Sequence, residues 1–224
     1  MPQGALAIVV MAAGVVIIWA VQRYYRRRQM LAGLALRLRL RYSAADQTGL
    51  IDRLQGLYFA QQGHAARVAN VLQGRRQDRE LFVFDYLYEV GAGVSRAVRQ
   101  CCVIAWRVNT RLPGVVGWQP AAFTPMGLFR CFGRLETGDP RFDGRFATYT
   151  DDPQAAGALL TPPLRRALLA CPGVDWEAVG PWLAFYTQHV LSARQLIRLI
   201  SRTSRCCRPL RRAGASGESP FVRC

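Results

Sequence analysis

A run of eighteen uncharged residues near the N-terminus constrains this 224-residue chain more than any other feature. The run extends from Gly4 to Val21 and reads GALAIVVMAAGVVIIWAV, so a helix made of it would be apolar on every side. Such a helix would be about 27 Å long, close to the roughly 30 Å hydrocarbon core of a bilayer. The pattern therefore predicts a transmembrane anchor over residues 1–22.

The residues that follow the run indicate an orientation. A cleaved signal peptide is disfavoured, because the first charge, Arg23, comes after the apolar run instead of before it. Trp19, Tyr24 and Tyr25 lie where interfacial aromatic residues are expected. Since basic residues next to a membrane helix stay in the cytoplasm, the sequence predicts a single-pass inner-membrane protein. Its N-terminus would lie outside and its C-terminal domain in the cytoplasm.

The net charge of +16 is concentrated at the two ends of the chain. Residues 1–41 carry seven arginines and no acid, and residues 194–224 carry eight arginines and one acid. Between them, residues 42–193 are nearly neutral, with fifteen arginines and thirteen acids. The chain has no lysine, which excludes Schiff-base and P-loop lysine chemistry. Basic flanks predict contact with an anionic inner leaflet and disfavour a nucleic-acid site within the domain.

Composition and periodicity divide the chain into four predicted segments. After the transmembrane anchor, residues 23–45 form a basic juxtamembrane connector and residues 46–207 a soluble domain. Residues 208–224 are rich in Gly, Ser and Arg and are predicted to be a disordered basic tail. Within the connector, the alternation of apolar and basic residues over 36–41 fits either a short strand or a continuation of the anchor helix.

The soluble domain contains both strand and helix patterns. Period-two alternation predicts strands over 66–72, 81–90 and 97–108, joined by short connections into an antiparallel meander. Other signals predict a helix over 48–62, a long connection over 109–145, a strand over 146–150, helices that start after Asp152, Thr161 and Ser192, and a hairpin around Gly180-Pro181. The order predicts an α+β fold, in which an N-terminal transmembrane helix precedes an antiparallel sheet packed by helices on one face.

The seven cysteines form neither a disulfide framework nor a metal-binding pattern. Cys101 and Cys102 lie in a predicted strand and so point to opposite faces, which favours buried structural thiols. A cysteine nucleophile would need a histidine base, and the chain has only His64 and His189. Asp85 is predicted to occupy a solvent-facing strand position. The sequence therefore predicts no catalytic residue, no metal site and no cofactor.

The last predicted helix has a basic face and an apolar face. Its four arginines fall within an arc of about 80°. The favoured interpretation is an ordinary terminal helix that packs its apolar side on the sheet. The alternative is a helix that lies on anionic lipid, with Cys206 and Cys207 as acceptors of palmitate. Together with the arginines after the apolar run, the predicted membrane-surface residues are Arg23, Arg26, Arg27, Arg28, Arg194, Arg198, Arg202 and Arg205.

Three stretches of the chain carry a resemblance to a family. They read Arg67-Val-Ala-Asn-Val-Leu-Gln-Gly74, Phe82-Val-Phe-Asp-Tyr86 and Leu112-Pro113-Gly114. They resemble an uncharacterised bacterial family of membrane-anchored α+β domains, over roughly residues 60–190. Because these motifs are turn and strand residues, the resemblance implies a fold and a location but no activity and no site.

Taken together, these features favour a non-enzymatic interaction or scaffold domain held at the inner membrane. Its predicted partners are the anionic lipid bilayer and an unidentified protein at the membrane. Two other functions remain open at this point. One is an enzyme with an unrecognised thiol or carboxylate site, and the other is nucleic-acid binding through the arginine-rich tails.

Overall fold

A computed structural model describes residues 3–54, 56–119 and 132–211. The strands are β1 (Arg41–Ala45), β2 (His64–Arg76), β3 (Arg79–Val90), β4 (Ala97–Trp118), β5 (Gly133–Leu135), β6 (Ala147–Thr150) and β7 (Asp175–Thr187). The helices are α1 (Gln3–Leu38), α2 (Leu50–Arg53), α3 (Pro140–Asp143), α4 (Pro153–Leu159), α5 (Pro162–Leu169) and α6 (Ala193–Cys206).

The sheet is organised around β4, which is 22 residues long. The first half of β4 pairs with β3 and its second half pairs with β6, while β7 runs antiparallel along both halves. The seven strands form one sheet in the order β1-β2-β3-β4-β6-β5, with β7 on β4. All of these pairings are antiparallel, so the predicted meander and the α+β class are confirmed.

Both faces of the sheet are buried against other elements. The strand β3 shows this best, because its apolar side chains alternate between two cores. Leu81 and Val83 point into a core that also receives side chains from α1, α5 and α6. Phe82, Phe84 and Tyr86 point into a second core, which α2 and a 3-10 turn over Tyr58–Gln61 cover. The longer helices thus lie on one face, as predicted, and the opposite face is covered by short elements.

Local signals placed several helix starts correctly. The Asp152 carboxylate accepts a hydrogen bond from the Ala155 N–H at 2.9 Å, and α4 begins at the following proline. Ser192 and Gln195 form a capping box at the start of α6. A 3-10 turn over Pro209–Arg211 follows α6, and the remainder of the predicted tail lies outside the described residues.

Three predicted elements of the domain are wrong. The helix over 48–62 is instead α2 followed by the separate 3-10 turn. The first part of the connection over 109–145 belongs to β4. The hairpin around Gly180-Pro181 does not form, because β7 continues through it. Gly180 has a φ of 55°, and β4 has extra residues at this point, so the two strands bend together and no turn is needed.

Helix α1 differs most from the prediction. It continues for 36 residues through the arginines to Leu38, and β1 begins shortly afterwards at Arg41. In the part of the chain that the structure describes, no helix combines the length and the apolar character needed to cross a bilayer. The predicted single-pass transmembrane anchor is therefore wrong. The apolar residues belong to a longer helix whose C-terminal part packs on the domain through Leu31, Leu34 and Ala35.

A buried ion pair fixes α1 to the sheet. Arg27 donates to both oxygens of the Asp85 carboxylate, at 2.8 and 3.2 Å, and Asn70 donates to the same carboxylate at 2.9 Å. Arg27 also donates to the carbonyl of Leu191, just before α6. Burial alone would lower the pKa of Arg27, but the carboxylate outweighs it and the pKa is raised. Asp85 is 1% exposed, so its predicted solvent-facing position is wrong.

Removing one member of this pair should strongly destabilise the domain. We expect Asp85→Ala to lower the free energy of unfolding by about 3–5 kcal/mol, because it leaves the Arg27 guanidinium buried without a counter-charge. The double variant Arg27→Met/Asp85→Leu removes both charges and should recover much of the loss. Urea unfolding monitored by tryptophan fluorescence measures both.

Glu136→Ala is the matched control, because it removes an exposed carboxylate and should change stability by less than about 0.5 kcal/mol. An Asp85→Ala variant as stable as this control would show that the ion pair does not hold α1.

Candidate functional site

The N-terminal part of α1 carries an apolar surface that nothing else in the described chain covers. Eleven large apolar side chains between Ile8 and Tyr25 are 47–66% exposed. They include Val15, Val16, Ile17, Ile18 and Trp19. An apolar surface of this extent marks a site of interaction in a folded protein. We call residues 8–25 the apolar segment.

Arginines flank the apolar segment on the side of the domain. The Arg23 guanidinium lies 5.3 Å from the centre of the Trp19 ring, and the Arg28 guanidinium lies 5.4 Å from that of Tyr24. Residues 1–41 have no acid, so this surface carries uncompensated positive charge apart from Arg27. A shallow groove of about 250 Å³ is lined by Trp19, Gln22, Arg23 and Arg26. We call Arg23, Arg26 and Arg28 the basic band.

The structure separates the predicted membrane-surface residues into two groups. Arg23 and Arg26 are exposed and Arg28 is partly exposed, whereas the side chain of Arg27 is 10% exposed and faces Asp85. Arg27 is thus a structural residue. The sequence did not reveal this, because Arg27 is one of four arginines that follow the apolar run. On α6 the predicted arginines are all exposed, and they are Arg194, Arg198, Arg202 and Arg205.

The favoured interpretation of α6 as a terminal helix that packs on the domain is confirmed. Leu196, Leu199 and Ile200 are buried in the core that α1 shares, although Ile197 is 38% exposed. The hydrogen bond from Arg27 to the Leu191 carbonyl brings the start of α6 next to α1. Contact between these arginines and lipid stays a prediction.

The five cysteines within the described residues are all buried, which disfavours a reactive thiol. Cys101 and Cys102 point into different cores, as predicted. Burial raises the pKa of Cys101 to about 11 and that of Cys102 to about 12, the opposite of what a thiolate nucleophile needs. Cys206 and Cys207 are fully buried, so neither is accessible for palmitate. Cys131 and Cys224 lie outside the described residues.

Two buried carboxylates on β7 escaped the sequence analysis. Glu177 is fully buried and accepts hydrogen bonds from the backbone N–H groups of Tyr58 at 2.7 Å and Phe59 at 2.9 Å. Asp175 accepts one from the backbone N–H of Gln119 at 2.9 Å. Burial raises the pKa of Glu177 to about 7 and that of Asp175 to about 6. The sequence did contain a signal for them: Asp175 and Glu177 are two residues apart, on the same face of a strand that is otherwise mostly apolar.

These carboxylates hold the second core together. Glu177 fixes the start of the 3-10 turn to β7, and Asp175 fixes the end of β4. Both carboxylates accept hydrogen bonds from backbone N–H groups, and Glu177 accepts another from the Tyr186 hydroxyl, so their geometry is that of structural acceptors. Within residues 3–54, 56–119 and 132–211, no group of three or more His, Cys, Asp or Glu side chains is placed to hold a metal ion.

Comparisons with known proteins add information about the fold. No family model matches the chain, and no curated protein matches it. Among solved structures, it is similar to the crystal structure of the mycobacterial trehalose monomycolate transport factor A, TtfA. The TM-score is 0.63 at 13% identity, over 83% of this chain and 94% of that one. The likeness shows the fold alone. The resemblance to a bacterial family of membrane-anchored domains stays a prediction.

The raised pKa of Glu177 predicts a pH-dependent stability. The folded state holds a proton on Glu177 up to about pH 7, whereas the unfolded chain releases it near 4.5. The stability from this proton is present below pH 4.5 and is lost as the pH rises to about 7. We expect Glu177→Gln to remove a fall of about 3 kcal/mol across that interval.

Unfolding free energies measured at several pH values test this expectation. Asp175→Asn is the paired variant. It should leave the fall due to Glu177 in place and remove only the separate contribution of Asp175, which is lost between pH 3.8 and about pH 6. A wild-type slope equal to that of Glu177→Gln would show that Glu177 is ionised throughout.

The buried thiols should resist alkylation in the folded protein. In a Cys131→Ser/Cys224→Ser variant, the remaining cysteines are Cys101, Cys102, Cys171, Cys206 and Cys207, all buried. We expect iodoacetamide at neutral pH to label them at least about a hundredfold more slowly than in denaturant, because burial keeps the reagent from the sulfur atoms. Mass spectrometry of the intact chain counts the labels. Rapid labelling of Cys206 or Cys207 in the folded protein would contradict their burial.

Proposed function

We propose that this chain is a non-enzymatic interaction module that works at the surface of an anionic membrane. The apolar segment of α1 lies in the interface between headgroups and acyl chains, and the basic band contacts the headgroups. The observation that carries the proposal is the adjacency of these two surfaces on one helix. An apolar segment next to arginines gains buried apolar area at a bilayer surface and attraction to anionic lipid.

The charges and aromatic residues support this arrangement. Each arginine near an anionic leaflet contributes about 1 kcal/mol of attraction. Trp19, Tyr24 and Tyr25 have the amphipathic rings that concentrate at the level of lipid headgroups. The start of α6 adds Arg194 close to α1. The cytoplasmic leaflet of an inner membrane is the anionic surface that fits this chemistry.

The proposed role is that of an accessory factor for another membrane component. The similar structure is named a trehalose monomycolate transport factor. By analogy, we propose that this domain assists the transport of a membrane constituent and does not transform it chemically. The raised pKa values of Cys101 and Cys102 support a non-enzymatic role, since a thiol nucleophile requires the reverse.

Vesicle binding by the full chain tests the membrane contact. We expect the chain to co-sediment with vesicles of phosphatidylcholine and phosphatidylglycerol and much less with phosphatidylcholine alone. The variant Arg23→Gln/Arg26→Gln/Arg28→Gln should bind the anionic vesicles about 100-fold more weakly, because it loses about 1 kcal/mol for each arginine. Raising the salt concentration should weaken binding by the unmodified chain.

The matched control is Arg99→Gln/Arg134→Gln/Arg166→Gln, which removes the same charge from exposed positions elsewhere. Its binding should fall far less than that of the first variant. Equal losses in the two variants would mean that total charge matters and the basic band does not, and the proposal would fail.

A further inference from the structure

An open cleft lies between α2, the turn that joins β2 to β3, and the middle parts of β4 and β7. Its volume is about 870 Å³, within the range of cavities that hold small-molecule ligands. Four arginines from three different elements line it, namely Arg53 of α2, Arg75 of β2, and Arg107 and Arg111 of β4. The acidic side chains in the lining are Asp78 and Glu80, so the formal charge of the cleft is +2.

An irregularity in the central strand builds this cleft. Arg107 pairs with Trp182 and Leu112 pairs with Gly180, so residues 108–111 of β4 lie opposite a single residue of β7. The additional residues bulge out of the ladder and carry Arg111 into the lining. The pairing of β4 with β7 therefore determines the β4 side of the cleft.

Two of the arginines are held in place before any ligand arrives. One oxygen of Glu80, Oε2, accepts from Arg53 at 3.4 Å and from Arg107 at 3.2 Å. The Arg53 guanidinium also lies 5.0 Å from the centre of the Phe82 ring and 5.5 Å from that of Trp182. A single carboxylate thus positions two guanidiniums and leaves one positive charge uncompensated. Positioned guanidiniums lose less entropy when they bind a ligand.

We propose that this cleft binds a phosphate group, either as a free phosphate or as the phosphate of a larger ligand such as a lipid headgroup. The planar fork of an arginine matches two oxygens of a phosphate, and several convergent arginines satisfy its charge. The cleft has room for more than an inorganic phosphate, so it could also hold a phosphate at one end of a larger molecule.

The cleft is separate from the basic band and goes beyond the proposed membrane contact. Glu80 and Asp85 are five residues apart on β3, so their side chains lie on opposite faces and about 17 Å apart along the strand. Asp85 faces α1, whereas Glu80 faces α2. The two sites can therefore be tested independently.

Titration calorimetry of the full chain with inorganic phosphate, and then with glycerol phosphate, is the test. The ionic strength is held constant with chloride, so that a signal reports a site and not screening. We expect saturable binding that weakens about tenfold in Arg107→Gln, the effect of removing one charge-assisted hydrogen bond. Arg53→Gln provides a second variant and should weaken binding by at least as much.

Arg99→Gln is the matched control, because it removes an exposed arginine of the same strand outside the cleft. It should bind phosphate as the unmodified chain does. No saturable binding at millimolar phosphate or glycerol phosphate, or equal weakening in Arg99→Gln and Arg107→Gln, would overturn the proposal.

Vesicles of phosphatidylcholine with phosphatidic acid identify the source of the phosphate. If Arg107→Gln weakens the binding of these vesicles as well as of inorganic phosphate, the cleft takes a lipid headgroup. If only the binding of soluble phosphate weakens, the ligand is soluble. Failure of the membrane proposal would appear separately, as normal vesicle binding by the variant that lacks the basic band.

Discussion

A guanidinium buried against a sheet is costly unless a carboxylate meets it, and the arrangement of this domain depends on Arg27 and Asp85 meeting. Asn70 completes the pocket from a bulge in β2, where its φ of 53° places it in the left-handed region that asparagine tolerates. The pocket exists only after β2 and β3 have paired. The ion pair therefore sets the point at which α1 leaves the domain, and with it the exposure of the apolar segment.

The long central strand has a comparable influence on the opposite face. Because β4 pairs with β3, β6 and β7, a residue inserted into β4 changes the register of its pairing with the neighbouring strands. The insertion between Arg107 and Leu112 is absorbed by a bend in β7 at Gly180. That bend keeps the buried acids Asp175 and Glu177 on one side of it and the Trp182 side chain on the other. One strand thus connects the second core to the arginine cleft.

Much of the secondary structure could be predicted because its causes are local. The alternation over 81–90 and the caps Asp152 and Ser192 require only neighbours in the sequence. The features that escaped prediction depend on partners far along the chain. Arg27 finds Asp85 58 residues later, so beside an apolar run it resembled an ordinary flanking charge. The Gly180-Pro181 turn signal was overridden by pairing with β4. The arginines of the cleft are scattered in sequence and converge only when the sheet forms.

The ion pair also gives α1 a mechanical character. About 36 Å of helix extends from Arg27 to Gln3, measured at 1.5 Å per residue. The helix is joined firmly to the domain at Arg27 and beyond it. If the apolar segment is held at a surface, the domain loses free tumbling and turns together with the helix. The face of the sheet that packs α6 would then lie near Arg27, and the face that packs α2 would lie farther away. The distance between the cleft and the surface would follow from the tilt of α1.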